Sequence, residues 1–179
     1  MNALRDDGLC TVFGVSNWSL GRLMEAQAYC KRTGKTFFAA LSNQLSLARM
    51  VENPWPEFLC LSSHDVEFRR WLTQTQLPLL PWSSQGRGFF LDRAGRNAYD
   101  DAEVVRCWHA PDNFARRDRA IELAKKRNAE PITIALAWVL HQPFPTFPLI
   151  GARRHRELWS SLNALRVKLT PEEVAWLEG

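Results

Sequence analysis

Phe147-Pro148-Leu149-Ile150-Gly151-Ala152-Arg153-Arg154-His155-Arg156-Glu157-Leu158-Trp159 reads as a short buried strand that stops at Gly151. A turn crowded with arginines follows, at the start of an amphipathic helix. A helix start leaves backbone N–H groups unpaired and carries a partial positive charge, so it suits a phosphate. Arginines oppose that dipole unless an anion is present, and Arg153 and Arg154 therefore point to an anionic ligand at this turn.

The same grammar repeats outward from it. Upstream, Pro131 opens a helix in which Ile134, Ala135, Ala137, Trp138, Leu140 and His141 are apolar almost all round, as for a helix pressed onto a sheet. Phe114, Arg117, Ile121, Leu123 and Ala124 give a helix over residues 113–128, and residues 92–111 read as a loop with one helical turn near Glu103 to Trp108. Earlier apolar runs predict strands at 77–82, 37–41 and 10–15, with an additional short one at 58–62. Helices fall between them, at 65–74 and from Leu20 to Thr33, the latter capped by Ser19 and closed by Gly34. Residues 1–7 read as the last turn of a helix that begins outside this chain. Downstream, 158–165 is helical, and Thr170-Pro171-Glu172-Glu173 is a capping box opening a final helix.

Strands alternating with helices imply right-handed βαβ units and a parallel sheet covered on both sides, an α/β fold. Polar turns sit at the carboxyl ends of the strands: Ser16-Asn17, Ser42-Asn43-Gln44, Ser83 to Gly88, and Gly151 to Arg154. Ligands bind at that edge in open α/β sheets and in (β/α)8 barrels.

With 179 residues and 46% apolar content, the chain has the material for one core. Its net charge of +4 comes from basic residues interleaved with acidic ones, which favours a local anion site over a nucleic-acid surface. No run approaches the ~20 apolar residues of a membrane span, and no signal peptide is evident, so a cytoplasmic location is expected. Cys10, Cys30, Cys60 and Cys107 form no CxxC pair and read as reduced thiols, with no metal site expected.

Three motifs occur in order: Gly14-Val15-Ser16-Asn17-Trp18; Trp82-Ser83-Ser84-Gln85-Gly86-Arg87-Gly88-Phe89-Phe90; and Ile150-Gly151-Ala152-Arg153, followed by Leu165 to Glu173. They resemble the GxSNW, YSPLGRGFL and IIGAR…LTPEE signatures of the aldo/keto reductase family, and Ala135 to Leu140 resembles that family's penultimate helix. The resemblance implies an NADP(H)-binding (β/α)8 TIM barrel, with residues 1–179 as one partial domain that supplies strands five to eight, a half barrel lacking its amino-terminal half. It further implies hydride transfer to a small-molecule carbonyl substrate.

The family's catalytic Asp, Tyr, Lys and His lie on the first four strands. Tyr29 and Tyr99 sit outside the family's motif, so no catalytic residue is assigned and the isolated chain is expected to be inactive. The cofactor half carries over by resemblance. Ser16, Asn17 and Ser42 would meet the nicotinamide carboxamide, Trp82 would stack on the ring, and Ser83, Gln85, Gly86 and Arg87 would wrap the pyrophosphate. Beyond Gly151, Arg153 helped by Arg154 would hold the adenosine 2′-phosphate, with Glu157 and Ser161 near adenine. Ser42, Ser84, Gln85, Glu157 and Ser161 replace the family's usual Gln, Pro, Leu, Gln and Asn.

Competing readings are plainer. Ser16-Asn17 also suits a helix cap, and Trp18 stands where a hydrolase nucleophile elbow needs glycine. His64, His109, His141 and His155 are scattered and read as structural or solvent-facing. A half barrel also leaves two strand edges unpaired, so a non-catalytic NADP-binding or assembly module, pairing with itself or with a separate first half, is the alternative expectation.

Overall fold

The computed structural model describes residues 1–55, 61 and 65–179. In chain order the elements are α1 (Asn2–Asp6), β1 (Val15–Ser16), α2 (Leu20–Thr33), β2 (Leu41–Ser42), α3 (Val66–Thr75), α4 (Ala102–Trp108), α5 (Pro111–Arg127), α6 (Pro131–Leu140), α7 (His155–Asn163) and α8 (Pro171–Glu178). Single 3-10 turns occupy Gly86–Gly88, Asp92–Ala94 and Ala164–Arg166.

Helix ends follow their local chemistry. Ser19 Oγ accepts from Arg22 N–H at the start of α2, and Gly34 ends that helix in the left-handed region at φ 66°. Asp65 and Asp101 cap α3 and α4 in the same way. Thr170 and Glu173 close both bonds of the capping box on α8. α5 and α6 both begin with proline at the first helical position, where no N–H is missed.

Sheet pairing is parallel throughout but sparse. β1 pairs with β2, Val15 opposite Leu41 and Ser16 opposite Ser42. Single parallel bridges then join Leu41 to Leu79, Gln44 to Trp82, and Leu79 to Thr146. Four extended segments thus lie side by side in chain order, and the runs read from sequence as strands of five or six residues shrink to these contacts.

Prolines are one cause. Pro78, Pro81, Pro145 and Pro148 lack the N–H that a ladder needs, so they contribute only acceptors. The carbonyls of Pro78, Pro145 and Pro81 take the N–H groups of Leu41 (2.9 Å), Leu79 (2.9 Å) and Leu149 (3.0 Å).

The expected covering on both sides fails at the two outer segments. Val12 is 66% exposed, and Phe147, Leu149 and Ile150 are 60%, 48% and 39% exposed. Each outer segment has a pairing neighbour on one side only among the described residues. The strand read at 58–62, Cys60 and His64 lie outside the described residues, apart from Leu61, which is buried.

The inner segments and the helices share one core. Leu41 and Leu79 are fully buried in it together with Phe68 and Leu72 of α3, Ile134 and Trp138 of α6, and Leu177 of α8. Each such aliphatic side chain contributes about 1.5–3 kcal/mol of burial. α6 packs against both α5 and α7. α8 is fastened by polar links: Trp138 Nε1 donates to Val174 O, Arg116 Nε donates to Glu178 O, and Arg69 pairs with the Glu178 carboxylate at 2.7 Å. The irregular stretch after Phe90 is better ordered than its sequence suggests, because buried Arg117 donates to Phe89 O and Leu91 O.

Candidate functional site

The ends of the third and fourth extended segments, the start of α7 and the start of α6 enclose a cleft of about 750 Å³. Ser83, Gln85 and Arg87 line one wall, Gly151, Arg153 and Arg154 another, and Glu157 and Ser161 reach in from α7. Eight of the thirteen residues singled out from sequence therefore share one cavity, although they come from segments more than sixty positions apart.

Backbone shape explains the first wall. Ser83 and Arg87 adopt φ 47° and 51°, and Gly86 and Gly88 adopt 56° and 87°, so the chain coils tightly between the bridge at Trp82 and buried Phe89. Left-handed residues other than glycine cost about 1 kcal/mol or more, and they persist where the surroundings over-determine them. Asn17 (φ 56°) belongs to the same set, while Gln76 and Asn128 are helix C-caps. Strain without a capping role among the described residues is thus confined to Asn17, Ser83 and Arg87. At Gly88 the left-handed φ is the constraint, and a β-carbon there would lie 2.6 Å from the mobile end of the Arg93 side chain and displace it.

Electrostatics favour an anion. Five arginines line the cleft (Arg87, Arg93, Arg153, Arg154, Arg156) against three acids (Asp101, Glu130, Glu157). Several are already matched: Arg93 with Asp101 at 3.3 Å, Arg156 with Glu130 at 3.2 Å, and Arg87 with Glu103 at 3.1 Å. The last contact is Coulombic, since Glu103 Oε1 has no aligned hydrogen-bond donor among the described residues. Among the described residues, Arg153 and Arg154 have no ion-pair partner. The Arg153 backbone N–H donates to Glu157 Oε2 at 2.6 Å, and Arg154 stands at the N-cap of α7 without a capping side chain.

Two carboxyls of the cleft are held below their usual range. For Glu130 the main cause is the hydrogen bond donated by Ser160 Oγ (2.6 Å), with Arg156 adding to it. For Asp101 it is the Val104 N–H of the α4 cap, reinforced by Arg93.

The other five residues lie apart from this lining. Ser16, Asn17, Ser42 and Trp82 form a hydrogen-bonded group at the ends of the first three segments. Trp82 Nε1 donates to Asn17 Oδ1 (3.0 Å), Asn17 N–H and Ser16 Oγ both donate to Ser42 O (3.1 and 2.9 Å), and Ser42 Oγ donates to Leu80 O (3.0 Å). Gly86 is buried beneath its turn, against Trp108, whose Nε1 is buried without a hydrogen-bond partner among the described residues.

Sequence reading missed the residues that brace the site. Arg93 donates to Arg87 O (3.1 Å), Glu103 faces Arg87, and Glu130 holds Ser160 and Arg156. Only Glu130, placed just before a helix-opening proline, carried a local signal. Among the described residues, His109, His141 and His155 are scattered, as expected. His141 is structural, its Nε2 accepting from Leu169 N–H and its Nδ1 lying 2.7 Å from Ala137 O. His109 is stacked among Phe89, Phe114 and Tyr99, and burial pushes its pKa down. Cys10, Cys30 and Cys107 are free thiols. No helix among the described residues is long and apolar enough to cross a membrane.

Comparison with known proteins agrees with this architecture. The chain is 27% identical over 160 residues to versiconal hemiacetal acetate reductase of Aspergillus parasiticus, covering 81% of this chain and 46% of that protein. It is 25% identical over 176 residues to norsolorinic acid reductase of Aspergillus flavus, covering 97% of this chain and 41% of the relative. The fold matches the thermostable aldo-keto reductase Tm1743, solved with the inhibitor epalrestat, at a TM-score of 0.66 and 18% identity, covering 98% of this chain and 50% of that one. Aldose reductase from Schistosoma japonicum matches at 0.63 and 14%, with 98% and 43% covered. The chain spans about half the length of these relatives. The model of the Aldo/keto reductase family matches residues 1–179 throughout, and the chain belongs to that family.

Proposed function

We propose that this chain is the carboxyl-terminal, cofactor-binding half of an NADPH-dependent aldo/keto reductase that reduces aldehydes or ketones by hydride transfer. The four parallel segments would be half of a (β/α)8 barrel. The observation that carries the reading is the cleft itself, in which the strained Ser83–Gly88 turn faces the unpaired Arg153 and Arg154 across about 750 Å³. Relatives named as reductases of versiconal hemiacetal acetate and norsolorinic acid support a reductive reaction.

NADPH, when bound, supplies the hydride. The chain's residues bind and orient it. Arg153 and Arg154 would give charge-assisted hydrogen bonds to the 2′-phosphate, and Arg87, Gln85 and Ser83, which line the same cleft, would hold the pyrophosphate. Glu157 and Ser161 stand beside the adenosine. The Trp82 ring, fixed by its bond to Asn17, offers an aromatic face to the nicotinamide, with Ser16, Asn17 and Ser42 around the carboxamide. Neither tyrosine is placed to protonate a carbonyl oxygen there. Tyr29 is exposed on α2, and Tyr99, also exposed, makes a tilted ring contact with His109. Catalysis then requires residues this chain does not contain.

Fluorescence titration with NADPH tests the binding role. Wild-type protein should bind, and Arg153→Ala should weaken binding tenfold or more, since a charged hydrogen bond is worth ~1.5–3 kcal/mol. Equal affinities would reject the phosphate assignment. Turnover of a panel of aldehydes at ordinary enzyme rates by the isolated chain would reject the claim of inactivity.

A further inference from the structure

A second cavity, of about 810 Å³, adjoins the cleft and shares Glu130, Arg156 and Ser160 with it as a common wall. The rest of its lining comes from the end of α5, the start of α6, α7 and the segment after the last 3-10 turn, so it is bounded by elements of the described fold and stands apart from the ladder edges. Hydrogen bonds hold these walls in place. Thr133 Oγ1 donates to Ser160 O at 3.1 Å and ties α6 to α7. The 166–168 segment is tethered from two sides, since Arg127 Nη1 donates to Lys168 O at 3.4 Å and the Leu169 N–H donates to His141 Nε2 at 3.2 Å. Val167 is extended and packs against the core, which turns its neighbours Arg166 and Lys168 outward at the cavity.

Charge decides what this cavity can hold. Arg127, Arg156, Arg166 and Lys168 line it against one acid, Glu130, whose carboxylate already accepts from Ser160 Oγ and Arg156. Arg127 is paired with Glu173. Arg166 and Lys168 have no acidic partner among the described residues. Asn163 adds an amide donor, and the exposed indole of Trp159 lies on the same lining. Two unmatched cations converging with an amide, in a cavity of the size that small ligands occupy, match a chain of phosphates. We infer that this cavity is a second anion site, independent of the cofactor cleft, which takes the di- or triphosphate group of a nucleotide or of an inorganic polyphosphate. Arg166 and Lys168 hold the phosphates, and Trp159 is the surface on which a base would stack.

Isothermal titration of the full chain with sodium tripolyphosphate at low ionic strength gives the test. It is run on the Arg153→Ala/Arg154→Ala variant, in which the cofactor cleft has lost its two unpaired cations, so that the remaining binding reports the second cavity. Tripolyphosphate should bind this variant one to one. Adding Arg166→Ala and Lys168→Ala, both at exposed positions, should weaken that binding at least tenfold while leaving the far-UV circular dichroism unchanged. No binding to the first variant, or an affinity that the two added substitutions leave unchanged, overturns the proposal. ATP in place of tripolyphosphate separates the two sources of the phosphates: tighter binding that Trp159→Ala removes identifies a nucleotide, and equal binding identifies the bare phosphate chain. The outcome is independent of the NADPH titration above, because Arg166 and Lys168 do not line the cofactor cleft.

Discussion

At the scale of single residues, Arg87 is the most contested group in the cleft. It lines the cavity, yet Glu103 lies 3.1 Å from its guanidinium and competes for it. Both side chains are about a third exposed, so the pair is worth at most ~1 kcal/mol, and an incoming pyrophosphate can outbid it. Glu103→Gln should therefore tighten NADPH binding several-fold and Arg87→Ala should loosen it, in the same fluorescence titration. Glu130 makes a prediction about pH. Its folded-state pKa is depressed by Ser160 and Arg156, so its stabilising contribution is complete above the unfolded carboxyl value of ~4.3 and is lost as pH falls through the lower folded value. Urea melts of wild type and Glu130→Gln should differ at pH 6 and converge as pH falls below about 4; a constant difference would contradict the assigned hydrogen bonds.

Helices and turns show which features of the chain were readable and which were not. α2 was legible to the residue, because Ser19 and Gly34 decide its ends within four residues of themselves. The capping box of α8 was equally plain, and Thr170→Ala should cost about 1 kcal/mol in denaturant unfolding. Pairing of the extended segments was not readable, since proline at 78, 81, 145 and 148 removes donors without altering the apolar pattern that marks a strand. The cleft was half legible: its lining came from turn residues at segment ends, but Arg93 and Asp101 line it, and Glu103 braces Arg87, through contacts that no local spacing encodes. The Gly86–Gly88 turn depends on that bracing. Gly88→Ala forces an L-residue to φ 87° and pushes Arg93 off the Arg87 carbonyl. A loss of about 1–2 kcal/mol is expected by thermal melting, accompanied by weaker NADPH binding.

Taken as a whole molecule, the chain has a continuous interior closed on its helical side and open at both outer segments of its ladder. Family membership was legible because three turn motifs survive in order, whereas the exposure of Val12 and Leu149 was not, since an apolar run reads the same whether or not a neighbour covers it. The interior also contains a clock. Cys107 is fully buried and burial raises its thiol pKa, whereas Cys10 and Cys30 are only partly buried. A thiolate must form and meet the reagent before alkylation can occur, so Cys107 reacts only during openings that expose α4. Peptide-resolved alkylation should label it at least ~100-fold more slowly than Cys30, and the ratio reads out the opening free energy of the helix that braces the cleft. Ligand that settles the Gly86–Gly88 turn onto α4 would slow that clock further, giving a binding assay that needs neither turnover nor a chromophore.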